Sequence, residues 1–162
     1  MDSREKVYEL LKDFSTAMMV TTGAQGELEA RPMQVAEVED HGRVWFFTGR
    51  AGRVVHEIAE DSEVLLIFQE EHSSYMSVRG TARLVNDKAK AEELWKEPYR
   101  VWFPGGVDDP RLVMITVKPT SAEYWDNKGV NKLEYLVEAA KAYVTGERPP
   151  VGDPDQHAKV TL

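Results

Sequence analysis

Between Thr16 and Thr48 the chain passes through three strand-forming runs, "TAMMVTT", "ELEARPMQVAEVE" and "RVWFFT", separated only by the short turns "GAQG" and "DHG". Turns this tight join antiparallel neighbours, because a parallel pair needs a crossover of about a dozen residues or more. An antiparallel meander is therefore the expected start of the fold.

The remaining segments extend that sheet. Residues 52–60 place Val54, Val55 and Ile58 on one face of a short helix. The unbroken apolar run "EVLLIF" reads as a strand covered on both sides. "SSYMSVRGTARLV" alternates, with Tyr75, Ser77, Arg79, Thr81 and Arg83 on one face and Met76, Val78, Gly80, Ala82 and Leu84 on the other. Asp87 is placed to cap the helix "KAKAEELW", and the irregular "KEPYRVWFPGGVDDP" leads to a strand, "RLVMITVKP", that "SAEYWDN" can continue past the proline. Before the meander, Val7, Leu10, Leu11 and Phe14 mark an amphipathic helix with Ser3 as its expected cap. At the other end, Leu133, Leu136, Val137, Ala140 and Val144 mark another. Six or seven strands with helices between some of them predict an α+β fold, a small antiparallel β-barrel with flanking helices. Residues 1–145 read as a single domain that includes the C-terminal helix, and residues 146–162 as a polar, mobile tail.

Composition excludes more than it identifies. At 162 residues and a net charge of -8 the chain suits one globular domain and repels polyanions, so no nucleic-acid partner is expected. It has no cysteine, which removes disulfides, thiol nucleophiles and thiolate metal sites. "MDSREKVYELLKDF" carries charge where a signal peptide needs an apolar core, and no run reaches the length of a membrane span. A cytoplasmic location without membrane attachment is the expectation. His41, His56, His72 and His157 are scattered without metal-ligand spacing, so no metal site is expected. There is no Gly-x-Ser-x-Gly elbow, and "TGRAGR" satisfies neither the P-loop nor the Rossmann pattern.

One local anomaly points to a ligand. No acidic residue lies between Asp40 and Glu57, yet Arg43, Arg50 and Arg53 fall in that window, around the junction of a strand and a helix. The first turn of a helix offers unpaired N–H groups and a positive dipole end, and arginine adds bidentate contacts that suit phosphate. Arginines solvated or paired with acids such as Glu57 are an equally good reading of that window taken alone.

The ordered set "ARPMQV", "VWFFTGRAGRVVHEI", "EVLLIF", "YMSVRGTARLV" and "AEYWDN" resembles the FMN-binding split-barrel proteins related to pyridoxamine 5'-phosphate oxidase, and within them the general stress protein 26 group, over roughly Ser3 to Lys128. The resemblance implies a split barrel that binds FMN. It assigns Arg31, Thr48 and Arg53 to the flavin phosphate, with Arg50 as an auxiliary. It sets the backbone of Pro32, Met33, Gln34 and Val35 and that of Phe47 along the ring. Tyr75 and Trp125 match positions that approach the ring, Trp125 from a second subunit. Two departures accompany it: Val54 stands where the family commonly has lysine, and "WDNKGVNKLEYL" lacks the arginine and histidine residues that recognise vitamin B6 phosphate in the true oxidases.

Three functions remain open on these grounds: a flavin-dependent oxidoreductase of unknown substrate in a stress response, a non-catalytic FMN-binding stress or flavin-storage protein, and an anion-binding domain without flavin. No catalytic residue is assigned. A homodimer with flavin at its interface is expected, with Trp102 and Phe103 as exposed anchors or, in the segment Pro98 to Pro110, as part of a lid.

Overall fold

The computed structural model describes residues 1–70, 74–127, 132–147 and 156–162. Seven strands, β1 (Thr16–Thr22), β2 (Leu28–Val38), β3 (Val44–Gly49), β4 (Glu63–Glu70), β5 (Ser74–Val85), β6 (Leu112–Asp126) and β7 (His157–Thr161), form one sheet in the order β3-β2-β1-β4-β5-β6-β7. A further ladder joins β3 to β6, so the first six strands close into an antiparallel barrel and β7 is added outside the ring. Among the described residues four α-helices accompany it: α1 (Ser3–Lys12), α2 (Arg53–Glu60), α3 (Lys88–Leu94) and α4 (Lys132–Thr145). Among the described residues no helix is long and apolar enough to cross a membrane.

The expected meander is present, and β6 runs through Pro119 as one strand. Its great length lets one edge serve two partners. Leu112 to Val117 pair with β3, whereas Ser121 to Trp125 pair with β7. Pro119 falls between the two ladders, where its missing N–H leaves no partner unsatisfied. Opposite it, at Gly80, the β5 register shifts. A Cβ at Gly80 would lie 2.6 Å from the Lys118 carbonyl oxygen and 2.7 Å from a Val117 methyl group.

The interior is filled by alternating side chains, among them Ala17, Met19, Phe46, Leu66, Phe68, Met76, Val78, Ile115 and Tyr124. Helix α1 lays Val7, Leu10 and Leu11 on this core, and α2 adds Val54, Val55 and Ile58 while packing on β1 and β5. A second cluster outside the barrel gathers Trp45, Ala91, Leu94, Phe103, Leu112 and Met114 under α3.

Several expectations are corrected. Asp2, not Ser3, caps α1, because its carboxylate reaches the Arg4 N–H and Glu5 returns a bond to the Asp2 N–H, a complete capping box. Strand β4 is not covered on both sides: Leu65 and Ile67 alternate with buried Val64, Leu66 and Phe68, and Ile67 is 43% exposed. Phe103 is buried in the second cluster, while its neighbour Trp102 is exposed. The tail beyond Gly146 is not uniformly free, since residues 157–161 are β7, hydrogen-bonded along β6; residues 148–155 of the expected tail lie outside the described residues. Helix α4 forms, but Leu136, Val137 and Val144 on its apolar stripe are exposed rather than packed on the barrel; the Leu133 side chain lies outside those described.

Replacing Gly80 by alanine drives a methyl group into backbone on the neighbouring strand, and that backbone cannot rotate away. The expected cost is about 2 kcal/mol, read as a lowered midpoint in chemical denaturation. Unchanged stability would mean that the bulge is not sterically fixed.

Candidate functional site

The ladder between β2 and β3 is short. It runs from Val38↔Val44 to Val35↔Phe46, with a register shift between Val35 and Glu37, and then ends. Beyond it β2 continues from Gln34 to Leu28 paired only with β1, while β3 continues to Gly49 paired only with β6. The two strands have separated. Backbone groups facing the gap, from residues 28–34 on one side and 47–49 on the other, have no ladder partner there. Unpaired strand edges of this kind are where a ligand can take the place of a neighbouring strand.

Helix α2 begins four residues after β3 ends, beside this gap. Gly52 is its N-cap and supplies no side-chain bond, and the first turn holds no acid. Two ion pairs tie the helix to β2. The Arg31 guanidinium donates through Nη2 to Glu57 Oε1 at 2.8 Å and through Nη1 to Thr21 Oγ1 and the Met19 carbonyl. Thr21 in turn donates to Glu57 Oε2 at 3.3 Å, so the buried carboxylate is held on both oxygens. Arg53, in the first turn, reaches Glu29 Oε1 at 2.8 Å.

The structure separates the arginines that the sequence groups together. Arg50 turns toward the start of β6, donating to the carbonyls of Pro110 and Leu112 and to Asn86 Oδ1. There it lines a groove of about 360 Å³ with Lys88, Asp108 and Leu112. The loop below is pinned by Asp109, whose carboxyl the Arg111 side chain, together with the Arg111 and Gly105 N–H groups, holds well below the usual carboxylate range. Arg43 lies within 4.0 Å of Glu39. Arg31 and Arg53 remain together, each with an acid from another element. No signal local to residues 40–57 could have indicated Glu29 as a partner.

The other candidates divide between faces. Arg31, Met33 and Val35 lie on the inward side of β2, and Pro32 and Gln34 on the outward side. Phe46 is core, as alternation requires of one of the phenylalanine pair. Phe47 turns to the second cluster, with its ring 5.3 Å from Tyr99 and 6.0 Å from Trp95. Burial pushes the Tyr99 phenol up. Thr48 is half-buried at the end of β3.

Tyr75 and Trp125 are direct cross-strand partners on the outer face, and Trp125 stacks on His157 of β7 at 5.2 Å. Within one chain they do not meet the β2–β3 gap. The gap borders β6 at Leu112 to Met114, opposite Gly49 to Phe47, and Trp125 stands eleven residues farther along that strand, about 36 Å of extended chain. Among the described residues no group of three or more histidines and carboxylates is placed to hold a metal ion.

A six-stranded antiparallel barrel whose ladder opens at β2 and β3 is a split barrel. The family model described as pyridoxamine 5'-phosphate oxidase like matches residues 2–150, and the chain belongs to that family. A protein assigned as general stress protein 26 from Jannaschia sp. CCS1 is 26% identical, with a TM-score of 0.74 over 97% of this chain and 96% of that one. The general stress FMN/FAD binding protein of Xanthomonas citri is 29% identical, with a TM-score of 0.67 over 79% of this chain and 91% of that one. Protein bli-3 of Neurospora crassa is 26% identical over 142 residues, which cover 81% of this chain and 68% of that protein.

The buried Arg31–Glu57 pair generates a stability prediction. Arg31→Ala leaves a buried carboxylate with only Thr21, and about 2–3 kcal/mol of stability should be lost. Replacing both partners by apolar residues, Arg31→Met with Glu57→Leu, should restore most of it in denaturant titrations. An equal loss in the double variant would show that packing, not the charge pair, dominates.

Proposed function

We propose that the chain is a flavoprotein that holds FMN in the gap between β2 and β3, with the phosphate at the N-terminus of α2. The observation that carries this reading is the separation of β2 and β3 beside a helix start that bears Arg53 and whose N-cap, Gly52, supplies no side-chain bond. Family membership and the flavin-binding relative from Xanthomonas citri support the ligand class.

The chain's own groups fit such a ligand. Arg53 is 73% exposed in its side chain and can turn to an anion, with the Thr48 hydroxyl and first-turn N–H groups beside it. Arg31 adds positive potential from below while Glu57 fixes its orientation. The backbone of Pro32, Met33, Gln34, Val35 and Phe47 offers hydrogen bonds to the polar edge of a flat ring. Arg50 is engaged elsewhere and is left out of this set. FMN, once bound, supplies the electron-transfer chemistry; the protein binds, orients and shields it. The site is completed in a homodimer, in which the partner subunit's Tyr75 and Trp125 approach the ring.

As an enzyme, the protein is an oxidoreductase of unassigned substrate in the cytoplasm. A storage or stress role without turnover is a second reading, favoured by the lack of any titratable side chain among Pro32–Val35, Phe47 and Thr48. Turnover with NADH or NADPH and an electron acceptor, faster than free flavin, separates the two.

Purified protein should show flavin absorbance or take up FMN on addition. Arg53→Ala should weaken that binding about tenfold, as expected for loss of a charge-assisted hydrogen bond. Lys88→Ala should leave it unchanged. Wild-type affinity in Arg53→Ala would remove the proposed phosphate site. Mass measurement in solution should give two chains per particle, and a flavin-loaded monomer would overturn the shared site.

A further inference from the structure

The two ion pairs between β2 and α2 differ in a way that bears on ligand choice. Glu57 is enclosed, its side chain 10% exposed, and it is bonded on both oxygens. Glu29 has a single partner, Arg53, in a pair open to water, and its side chain is 33% exposed. Two arginines and two glutamates give this cluster a net charge of zero. Val54, the residue after Arg53, points into the core and adds no cation.

A phosphate monoester brings close to two negative charges at neutral pH. It gains little from a neutral cluster. For Arg53 to give a phosphate its whole fork and its unshared charge, the Glu29 carboxylate must release Nη2 and move into solvent, which its exposure permits. Glu57 cannot do the same, because leaving Arg31 would strand a charge in the interior. The two acids thus have different parts: Glu57 is a permanent counter-ion and Glu29 an exchangeable one.

We infer that Glu29 is a specificity-determining residue that occupies Arg53 in the ligand-free protein, competes with the ligand's phosphate, and thereby lowers the preference for phosphorylated over unphosphorylated flavin. This rests on the flavin reading above. Glu29 acts as an internal competitor, so its effect falls on ligands that carry the phosphate and spares those that lack it.

The test is fluorescence-monitored titration of the full-length protein with FMN and, separately, with riboflavin, in wild type, Glu29→Gln and Glu29→Ala. Freeing an exposed arginine and removing a nearby like charge should tighten FMN binding about threefold to tenfold. Riboflavin affinity should stay within experimental error. FMN binding that is measurable only in the variants would support the competition as well. Unchanged FMN affinity in both variants would overturn it, and so would an equal gain for riboflavin, which would mean that Glu29 shapes the pocket rather than competes with phosphate. If neither wild type nor variants bind either flavin, the flavin reading itself fails and the inference falls with it. Wild-type FMN binding with indifferent variants sinks the inference alone.

Discussion

Barrel closure depends on β6 keeping β3 along the first half of an edge whose second half it gives to β7. Because β6 holds β3 through Gly49, β3 needs no support from β2 after Phe46 and is free to leave it. The gap between β2 and β3 is thus a product of closure, not a flaw in it. Pro119 and Gly80 mark the same point on facing strands: one requires no hydrogen bond where the edge changes partner, and the other lets two backbones approach closely. The end of β3 in turn fixes where α2 begins, so the helix start and the open edge of β2 stand side by side.

The second constraint is electrostatic. A buried ion pair seldom stabilises a fold better than apolar residues of the same volume would. Stability alone therefore gives no reason for Arg31 and Glu57 to be charged. Arg31 does, however, span β1, β2 and α2 through its three acceptors, and it keeps a cation beneath the helix start in one orientation. Arg53 lies above it on the surface with a looser partner. Under the flavin reading proposed above, a fixed cation below and a movable one above would admit an anion without unfolding their support.

Much of this was legible in the chain. The glycine turns dictated antiparallel neighbours, alternation assigned the faces of β5, and Asp87 capped α3 as expected, its carboxylate accepting from the Lys90 N–H. What escaped was non-local. Strand β7 is only "HAKVT", with Val160 as its one buried side chain, too short an alternation to distinguish from tail. The Arg53–Glu29 and Arg31–Glu57 pairs join elements that sequence spacing does not relate. A window without acids suggests net positive charge, yet Glu29 of β2 meets Arg53 and Glu39, just after that strand, lies near Arg43. Helix α4 shows the same limit: periodicity identified its apolar stripe but not what the stripe would meet.

A barrel strand with one face in water should alternate strictly, yet "EVLLIF" does not, because Leu65 and Ile67 are apolar on the outward face. Their neighbours across the sheet continue the pattern: Met18 opposite Ile67, Pro32 opposite Met18, with Tyr75 and Trp125 on the strands beyond. Keeping such a row exposed costs solubility without aiding the core. Trp125, meanwhile, lies at the other end of β6 from Leu112 to Met114, where that strand borders the gap. The homodimer proposed above would cover that row with a second copy. The unbroken run therefore reports two apolar faces, of which the barrel's own core covers one.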